Sequence, residues 1–272
     1  MLGAVAGDII GSVFEWSSAQ SRDFPLFSAR SDFTDDSVLT FAVARAILDA
    51  RVAGSDSPDY GSRLLEFGRR YPARGYGEMF NEWLRLDEQH PYSSYGNGSA
   101  MRVSPVGFAF DDEQQVLEQA RWSAMPTHDH PEGIKGAQSV AFTVWMARRG
   151  ASREEIRSRI ESEFGYDLQR TVDAIQPGYT SDVTCQGSVP ESIIAFLDAG
   201  DFESAIRNAV WLGGDADTQA CIAGAIAEAV WGVPAEIEAD VRARLPDELL
   251  GILDEFRSVY AAAARSAQPQ SE

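Results

Sequence analysis

Helical spacing of apolar residues recurs along the whole chain and constrains its fold more than any other feature. In three segments, apolar side chains return every three or four residues, which places them on one face of a helix. The three faces are Leu39, Val43, Ala46, Ile47 and Ala50; Ala137, Val140, Ala141, Val144 and Trp145; and Ile222, Ala225, Ile226, Ala229 and Val230. Alternating runs rich in β-branched residues, which indicate strands, are nearly absent. The sequence therefore predicts an all-α fold.

The segment 220–227 consists of small residues apart from two isoleucines. Small side chains let helix axes approach closely, so we expect this helix to be central. A last helix is predicted over 247–263 and a turn over 54–58. No linker or repeat of solenoid length divides the chain, so we expect one domain over 1–265 and a polar, disordered tail over 266–272.

Composition excludes several classes of function. With 23 Lys and Arg against 42 Asp and Glu, the formal charge is −19, which disfavours sequence-independent binding to nucleic acids. The same charge means that a phosphorylated ligand needs metal ions or backbone N–H groups to bind. Two isolated cysteines, Cys185 and Cys221, argue against a disulfide framework and a zinc knuckle. The apolar N-terminal run lacks a basic region and contains Asp8, and no apolar run is long enough for a membrane span, so we expect a cytoplasmic protein.

Two clusters of carboxylates and hydroxyls directly precede predicted helices. They are Thr34, Asp35 and Asp36, and Asp215, Asp217 and Thr218. Either cluster alone is compatible with helix capping, because Asp and Thr accept hydrogen bonds from the free N–H groups of a first turn. Together they form a set of hard oxygen ligands suited to Mg²⁺ or Mn²⁺, and four carboxylates balance the charge of two dications. Spacing leaves open whether the two helix starts converge.

A glycine-rich segment over 93–102 is a second candidate. Gly96, Asn97 and Gly98 allow a positive φ and close backbone approach, so that N–H groups could line a cradle for an anion. The alternative is an ordinary turn, which Asn-Gly favours in any protein.

Three further side chains are candidates for a role in the site. His128 and His130 form a His-x-His pattern, but no third nitrogen or sulfur ligand lies nearby, which argues against zinc. One of the two could contact a ligand, and the alternative is an exposed loop histidine. Glu15 ends the apolar N-terminal run, where an isolated Glu is usually a solvated carboxylate.

Five segments, in this order, resemble the ADP-ribosylglycohydrolase family. They are GDIIGSVFE (7–15), FTDDSVLT (33–40), SYGNGSAMR (94–102), THDHP (127–131) and RNAVWLGGDADTQACIAGAIAEAVWG (207–232). The resemblance covers most of the chain, and GDADT combined with an early TDD is a specific pairing. It implies a single-domain orthogonal bundle of helices with two Mg²⁺ or Mn²⁺ ions in a cleft.

The resemblance also implies a role for each candidate residue. The metal ligands would be Thr34, Asp35, Asp36, Asp215, Asp217 and Thr218. The substrate-binding residues would be Ser94, Tyr95, Gly96, Asn97, Gly98, Ser99 and His128, which would surround the diphosphate and adjoining ribose of ADP-ribose. Glu15 would be the catalytic carboxylate beside the scissile ribose.

The reaction implied by the resemblance is cleavage of a glycosidic bond between ADP-ribose and an acceptor, with release of ADP-ribose. The acceptor is left open by the sequence and includes an arginine or serine side chain or another ADP-ribosylated group. Two alternatives remain at this point: a two-metal hydrolase of a small nucleotide or phosphoester, and a non-catalytic relative that binds ADP-ribose. The preferred metal, the oligomeric state and partner proteins are also left open.

Overall fold

The computed structural model describes residues 1–15 and 17–266, with side chains as far as residue 260. Its α-helices are α1 Leu2–Gly11, α2 Asp35–Ala53, α3 Tyr60–Arg70, α4 Glu78–Arg85, α5 Gly98–Met101, α6 Ser104–Ala109, α7 Glu113–Ala124, α8 Pro131–Arg148, α9 Arg153–Phe164, α10 Val172–Ile175, α11 Cys185–Leu197, α12 Phe202–Leu212, α13 Ala216–Trp231, α14 Ala235–Arg242 and α15 Asp247–Ser266. A short 3₁₀ helix follows α10 at Gln176–Gly178. Over these residues the only extended pairing is an isolated bridge between Gly96 and Thr184.

The predicted all-α, single-domain architecture is confirmed. One continuous hydrophobic core joins the helices from α1 to α15. None of the helices in the described part of the chain combines the length and apolar character that a membrane crossing requires. The tail predicted over 266–272 lies outside the described residues, apart from Ser266, at which α15 ends.

Helix α13 lies at the centre of the bundle, as its small residues predicted. Its residues from Ala216 to Ala227 are all buried, and it packs against α1, α8, α11 and α12. The predicted apolar face ends before the helix does, since Val230 is 44% exposed. The N-terminal two thirds of α13 is therefore enclosed by other helices on every side.

Helices α1 and α13 touch backbone to backbone through glycines. Gly3, Gly7 and Gly11 recur every four residues on α1 and face α13. A Cβ atom on Gly7 would overlap the backbone of Ala220, and one on Gly11 would overlap the backbone of Asp217. This close approach brings the end of α1 to the start of α13.

Two helix boundaries bear on the sequence predictions. Helix α2 ends at Gly54, whose φ of 64° is the left-handed conformation that favours glycine, and the predicted turn follows. Helix α8 begins after His130, whose Nδ1 accepts a hydrogen bond of 3.1 Å from the backbone N–H of Glu132. His130 is therefore a helix cap, which explains the second histidine of the His-x-His pattern without a metal.

The glycine contact between α1 and α13 predicts opposite effects for one substitution at two places. Gly7→Ala forces the two helices apart, so we expect a loss of about 1–3 kcal/mol in the free energy of unfolding. Gly251→Ala is the matched control, because Gly251 lies within α15 with no atom near its missing Cβ. In Gly251→Ala, the gain in helix propensity should raise the free energy of unfolding by up to about 1 kcal/mol. Urea denaturation of both variants checks this, and equal effects would contradict the packing argument.

Candidate active site

The start of α2 is held by a carboxylate from another helix. Asp8 of α1 is fully buried, and its two oxygens accept hydrogen bonds from the backbone N–H and hydroxyl of both Thr34 and Ser37. Ser37 N is one of the unsatisfied donors in the first turn of α2. Burial raises the pKa of Asp8 to about 6, against the lowering effect of these hydrogen bonds. Asp8 therefore caps α2 from outside.

Because Asp8 satisfies the first turn, the acidic cluster on α2 is not used for capping. The side chain of Thr34, the N-cap residue, makes no capping hydrogen bond, and its hydroxyl donates to Asp8 at 2.6 Å. The backbone N–H of Asp35 donates to the carbonyl of Arg74. The capping interpretation of this cluster is therefore wrong, and Asp35 and Asp36 are available for another role.

The start of α13 shares this property only at its N-cap residue, because Asp217 Oδ1 accepts a hydrogen bond of 3.0 Å from the backbone N–H of Thr218 in the first turn. Asp215 is the N-cap residue, and its side chain makes no capping hydrogen bond. The preceding Gly213 and Gly214 have φ of 83° and 76°, which L side chains rarely adopt, and they turn the chain sharply into the helix. Asn97 donates its side-chain N–H to Asp215 Oδ2 at 2.6 Å. The glycine-rich loop therefore contacts the second acidic cluster directly.

The two acidic clusters converge in the fold. Carboxylate oxygens of Asp8, Asp36 and Asp217 all lie within 4.8 Å of one another. Burial, and then the charge of Asp217, raises the pKa of Asp36 well above its usual range. Burial, and then the charge of Asp215, does the same for Asp217. Such a crowded, buried group of carboxylates is unfavourable unless positive charge accompanies it.

The donors present fit a hard divalent cation. Asp36 Oδ1 is buried and has no hydrogen-bond partner, although buried carboxylate oxygens are normally satisfied. The surrounding donors are carboxylate and hydroxyl oxygens, which Mg²⁺ and Mn²⁺ prefer. Asp8 differs from its neighbours, because hydrogen bonds already occupy both of its oxygens. Asp8 therefore holds the start of α2 in place, and its carboxylate lies with those of Asp36 and Asp217 in the group that could hold a cation.

A cavity of about 590 Å³ opens beside the converging clusters. All six residues predicted as metal ligands line one end of it, together with Glu15. A second wall is formed by Ser94, Gly96, Asn97, Gly98, Arg102 and His128, and a third by residues 75–80. The cavity therefore joins an acidic end to the glycine-rich loop.

Two of the predicted substrate-binding residues lie outside the cavity lining. Tyr95 is 49% exposed, and its ring packs against the ring of His130 at 5.3 Å. Ser99 is fully buried, and its hydroxyl donates to the carbonyl of Gly133 at 2.7 Å. Both residues shape the loop: Tyr95 also accepts a hydrogen bond from Cys185 N through its carbonyl.

Glu15 lies in the turn that follows α1 and reaches the acidic end of the cavity. Burial first, and then the neighbouring carboxylates including Glu15, raises the pKa of Asp35 and of Asp217. Glu15 therefore lies near both acidic clusters and lines the cavity with them.

The sequence analysis assigned no role to Asp8 or Arg102. A carboxylate in the wholly buried run from Leu2 to Gly11 is the signal that points to Asp8, since such a group needs partners. Arg102 closes the glycine-rich motif and is fully buried. The sequence of residues 75–80 did not indicate that they line the cavity, because they do so only when the chain folds back against α2.

Comparisons with known proteins agree with this geometry. The family model described as ADP-ribosylglycohydrolase matches residues 1–270. ADP-ribosylhydrolase ARH3 of Bos taurus is 30% identical, with 86% of this chain and 84% of the relative covered. ADP-ribosylarginine hydrolase Tri1 of Pseudomonas putida (strain GB-1) is 25% identical, with 86% and 70% covered. A solved structure titled "ADP-ribosylglycohydrolase-related protein complex" has the same fold, with a TM-score of 0.70, 23% identity, and 98% and 96% coverage.

The match over nearly the whole chain agrees with a cavity that joins both acidic clusters to the glycine-rich loop. The non-catalytic alternative is therefore set aside. This chain belongs to the ADP-ribosylglycohydrolase family and is a glycohydrolase acting on ADP-ribosyl groups.

Proposed function

We propose that the enzyme hydrolyses the N- or O-glycosidic bond between ADP-ribose and a protein side chain such as arginine or serine, in a reaction that requires two Mg²⁺ or Mn²⁺ ions. The observation that carries this proposal is the convergence of two acidic helix starts on one cavity that a glycine-rich loop also lines. The printed names of the relatives, an ADP-ribosylhydrolase and an ADP-ribosylarginine hydrolase, support the substrate class.

Six residues would hold the two cations: Thr34, Asp35, Asp36, Asp215, Asp217 and Thr218. Four carboxylates balance two dications, and Asp36 Oδ1 offers an oxygen that no hydrogen bond occupies. When bound, the cations would supply Lewis acidity at the acidic end of the cavity.

Glu15 would carry the proton transfer. Cleavage of a glycosidic bond develops oxocarbenium character at the anomeric carbon of the ribose. A carboxylate beside that carbon can accept a proton from the attacking water or assist departure of the leaving group. Glu15 lines the same end of the cavity as the two clusters, which supports this role.

The glycine-rich loop would bind the diphosphate and adjoining ribose. The cavity that Glu15 and the clusters line is also lined by Ser94, Gly96, Asn97, Gly98 and His128. Asn97 also holds Asp215, so the loop and the second cluster act as one unit. Tyr95 and Ser99 would contribute through the conformation of the loop.

The remaining alternative, hydrolysis of a small nucleotide or phosphoester, shares the acidic end of the cavity. A panel of substrates separates the two: ADP-ribosylated arginine and serine peptides, ADP-ribosylated nucleic acid, and a nucleotide phosphoester, each with Mg²⁺ or Mn²⁺. We expect free ADP-ribose from at least one ADP-ribosylated substrate, and the one cleaved fastest identifies the acceptor. Release of phosphate alone would favour the alternative.

The first prediction concerns the metal ions. EDTA should abolish activity, and Mg²⁺ or Mn²⁺ should restore it. The same ions should raise the melting temperature, because they bind only the folded protein and relieve repulsion among buried carboxylates. Asp217→Asn should lose most of the thermal shift, whereas Asp201→Asn, at the exposed cap of α12, should keep it. A melting temperature indifferent to both metals would contradict the assigned ligand set.

The second prediction separates chemistry from binding at Glu15. Glu15→Gln keeps the size of the side chain but removes its basic oxygen, so kcat should fall by about 10²–10⁴-fold. Calorimetric affinity for ADP-ribose should change little, because the loss is confined to the transition state. Glu78→Gln is the control, since Glu78 lines the cavity on its third wall. If kcat of Glu15→Gln were close to that of Glu78→Gln, the proposed role of Glu15 in proton transfer would be contradicted.

The third prediction uses the contact between Asn97 and Asp215. Asn97→Ala removes a donor to a buried carboxylate, so the variant should need a higher Mg²⁺ concentration for its thermal shift and should bind ADP-ribose more weakly. Asn97 and Asn208 are 6% and 7% exposed, so Asn208→Ala controls for the loss of a buried amide. Asn208→Ala should lower the melting temperature without changing the Mg²⁺ concentration needed for the thermal shift. If Asn97→Ala and Asn208→Ala needed the same Mg²⁺ concentration, the proposed coupling between Asn97 and Asp215 would be contradicted.

A further inference from the structure

Arg102 is a buried cation at the edge of the cavity. Its side chain is fully buried and lines the same cavity as the carboxylates. Nη2 donates to the carbonyl of Ser123 at 3.0 Å and to Thr127 Oγ1 at 2.8 Å, whereas Nε and Nη1 have no hydrogen-bond partner. Burial lowers the pKa of Arg102 to about 10, which still leaves it protonated at neutral pH.

A buried positive charge that lacks hydrogen-bond partners is costly and needs an explanation. The proposed active site described above uses the carboxylates that line the same cavity and gives Arg102 no role. Two of its donor groups are unsatisfied beside a cavity that admits a ligand, so a negative charge supplied by that ligand would be its natural complement.

Thr127 connects Arg102 to His128. Thr127 Oγ1 lies 2.7 Å from His128 Nδ1, and both residues are buried. Because Thr127 Oγ1 accepts a hydrogen bond from Arg102, its own proton is free to be donated. A chain of donors that begins at a cation is polarised away from that cation, which favours donation of the Thr127 proton to His128 Nδ1.

The other ring nitrogen of His128 faces the glycine-rich loop. A Cβ atom on Gly98 would lie 3.4 Å from His128 Nε2, and one on Gly96 would lie 3.8 Å from it. Glycine at both positions keeps this side of the ring uncovered, and His128 lines the cavity there. If Nδ1 accepts a hydrogen bond, a neutral ring carries its proton on Nε2.

We propose that Arg102 and Thr127 are positioning residues that hold His128 as the neutral tautomer with its proton on Nε2, and that this N–H donates to a phosphate oxygen of the diphosphate of the substrate. The inference rests on the proposed function, because the diphosphate is that of ADP-ribose. It gives a role to a buried cation that lines the cavity.

The charges around His128 agree with this assignment. Burial first, and then the positive charge of Arg102, lowers the pKa of His128 well below its usual range, so the ring is neutral. The phenol of Tyr92 also contacts Thr127, and burial raises the pKa of Tyr92 to about 12, so the phenol keeps its proton and can donate it to Thr127 Oγ1, which leaves the Thr127 proton for His128. The positive charge of Arg102, which lines the cavity, favours a diphosphate there.

Nitrogen NMR of the imidazole side chains in the Mg²⁺-loaded protein tests the tautomer before any ligand is added. The chain has three histidines, so comparison with His128→Gln assigns the signals. We expect a protonated Nε2 and a hydrogen-bonded, unprotonated Nδ1. A proton on Nδ1 in the wild-type protein would overturn the proposal.

Thr127→Val and Thr127→Ser test the connection to Arg102. Thr127→Val removes the hydroxyl at nearly constant volume, so the Nδ1 signal should move to that of an unbonded nitrogen and affinity for ADP-ribose should fall about tenfold. Thr127→Ser keeps the hydroxyl, so it should keep the signal of a hydrogen-bonded Nδ1 and the wild-type affinity for ADP-ribose. Thr143→Val is the control, because Thr143 is equally buried but donates within α8. It should leave the His128 signals and the affinity unchanged.

Ligand titrations test the phosphate contact. ADP-ribose should move the proton signal of His128 Nε2, whereas adenosine, which lacks phosphates, should not. Equal responses to the two ligands, or indistinguishable Thr127→Val and Thr127→Ser proteins, would overturn the assignment. The wild-type spectrum gives the tautomer even if Thr127→Val does not fold. The two claims fail separately. Failure to cleave any ADP-ribosylated substrate would contradict the proposed function, whereas the spectrum of the ligand-free protein tests only the tautomer of His128.

Discussion

The hydrogen bonds from the start of α2 to Asp8 are the interaction on which the site depends. Asp8 lies on α1, so the first acidic cluster takes its position from α1. The second cluster takes its position from the same helix, because glycines bring α1 into backbone contact with the start of α13. One short, wholly buried helix therefore sets the distance between two groups that are far apart in the sequence.

The same arrangement explains why the acidic residues are available for chemistry. A helix start has unsatisfied N–H groups, and a nearby Asp or Thr would ordinarily accept from them. In α2 those donors go to Asp8 and to a backbone carbonyl instead. Asp36 is left with a buried oxygen that has no partner, a state that a bound cation would relieve. Bringing these carboxylates together is unfavourable in free energy, and the packing of the surrounding helices holds them in place against that repulsion.

The cavity lining carries both signs of charge, from the carboxylates of the two clusters and from the buried Arg102. A ligand that has both hydroxyls and phosphates suits such a lining, since hydroxyls can approach the carboxylates and phosphates are drawn to the cation. Asn97 joins the glycine-rich loop to the second cluster by donating to Asp215.

The sequence by itself determined the helices, the central place of α13 and the residue types that meet at the site, because periodicity, small side chains and clustered carboxylates are local properties. It also indicated the family through motifs that keep their order. Tertiary structure alone decided that the clusters converge, that Asp8 rather than Thr34 caps α2, and that Tyr95 and Ser99 lie outside the cavity lining. These outcomes depend on hydrogen bonds and contacts between distant segments, and a local pattern carries no information about which distant partner will satisfy a donor or enclose a side chain.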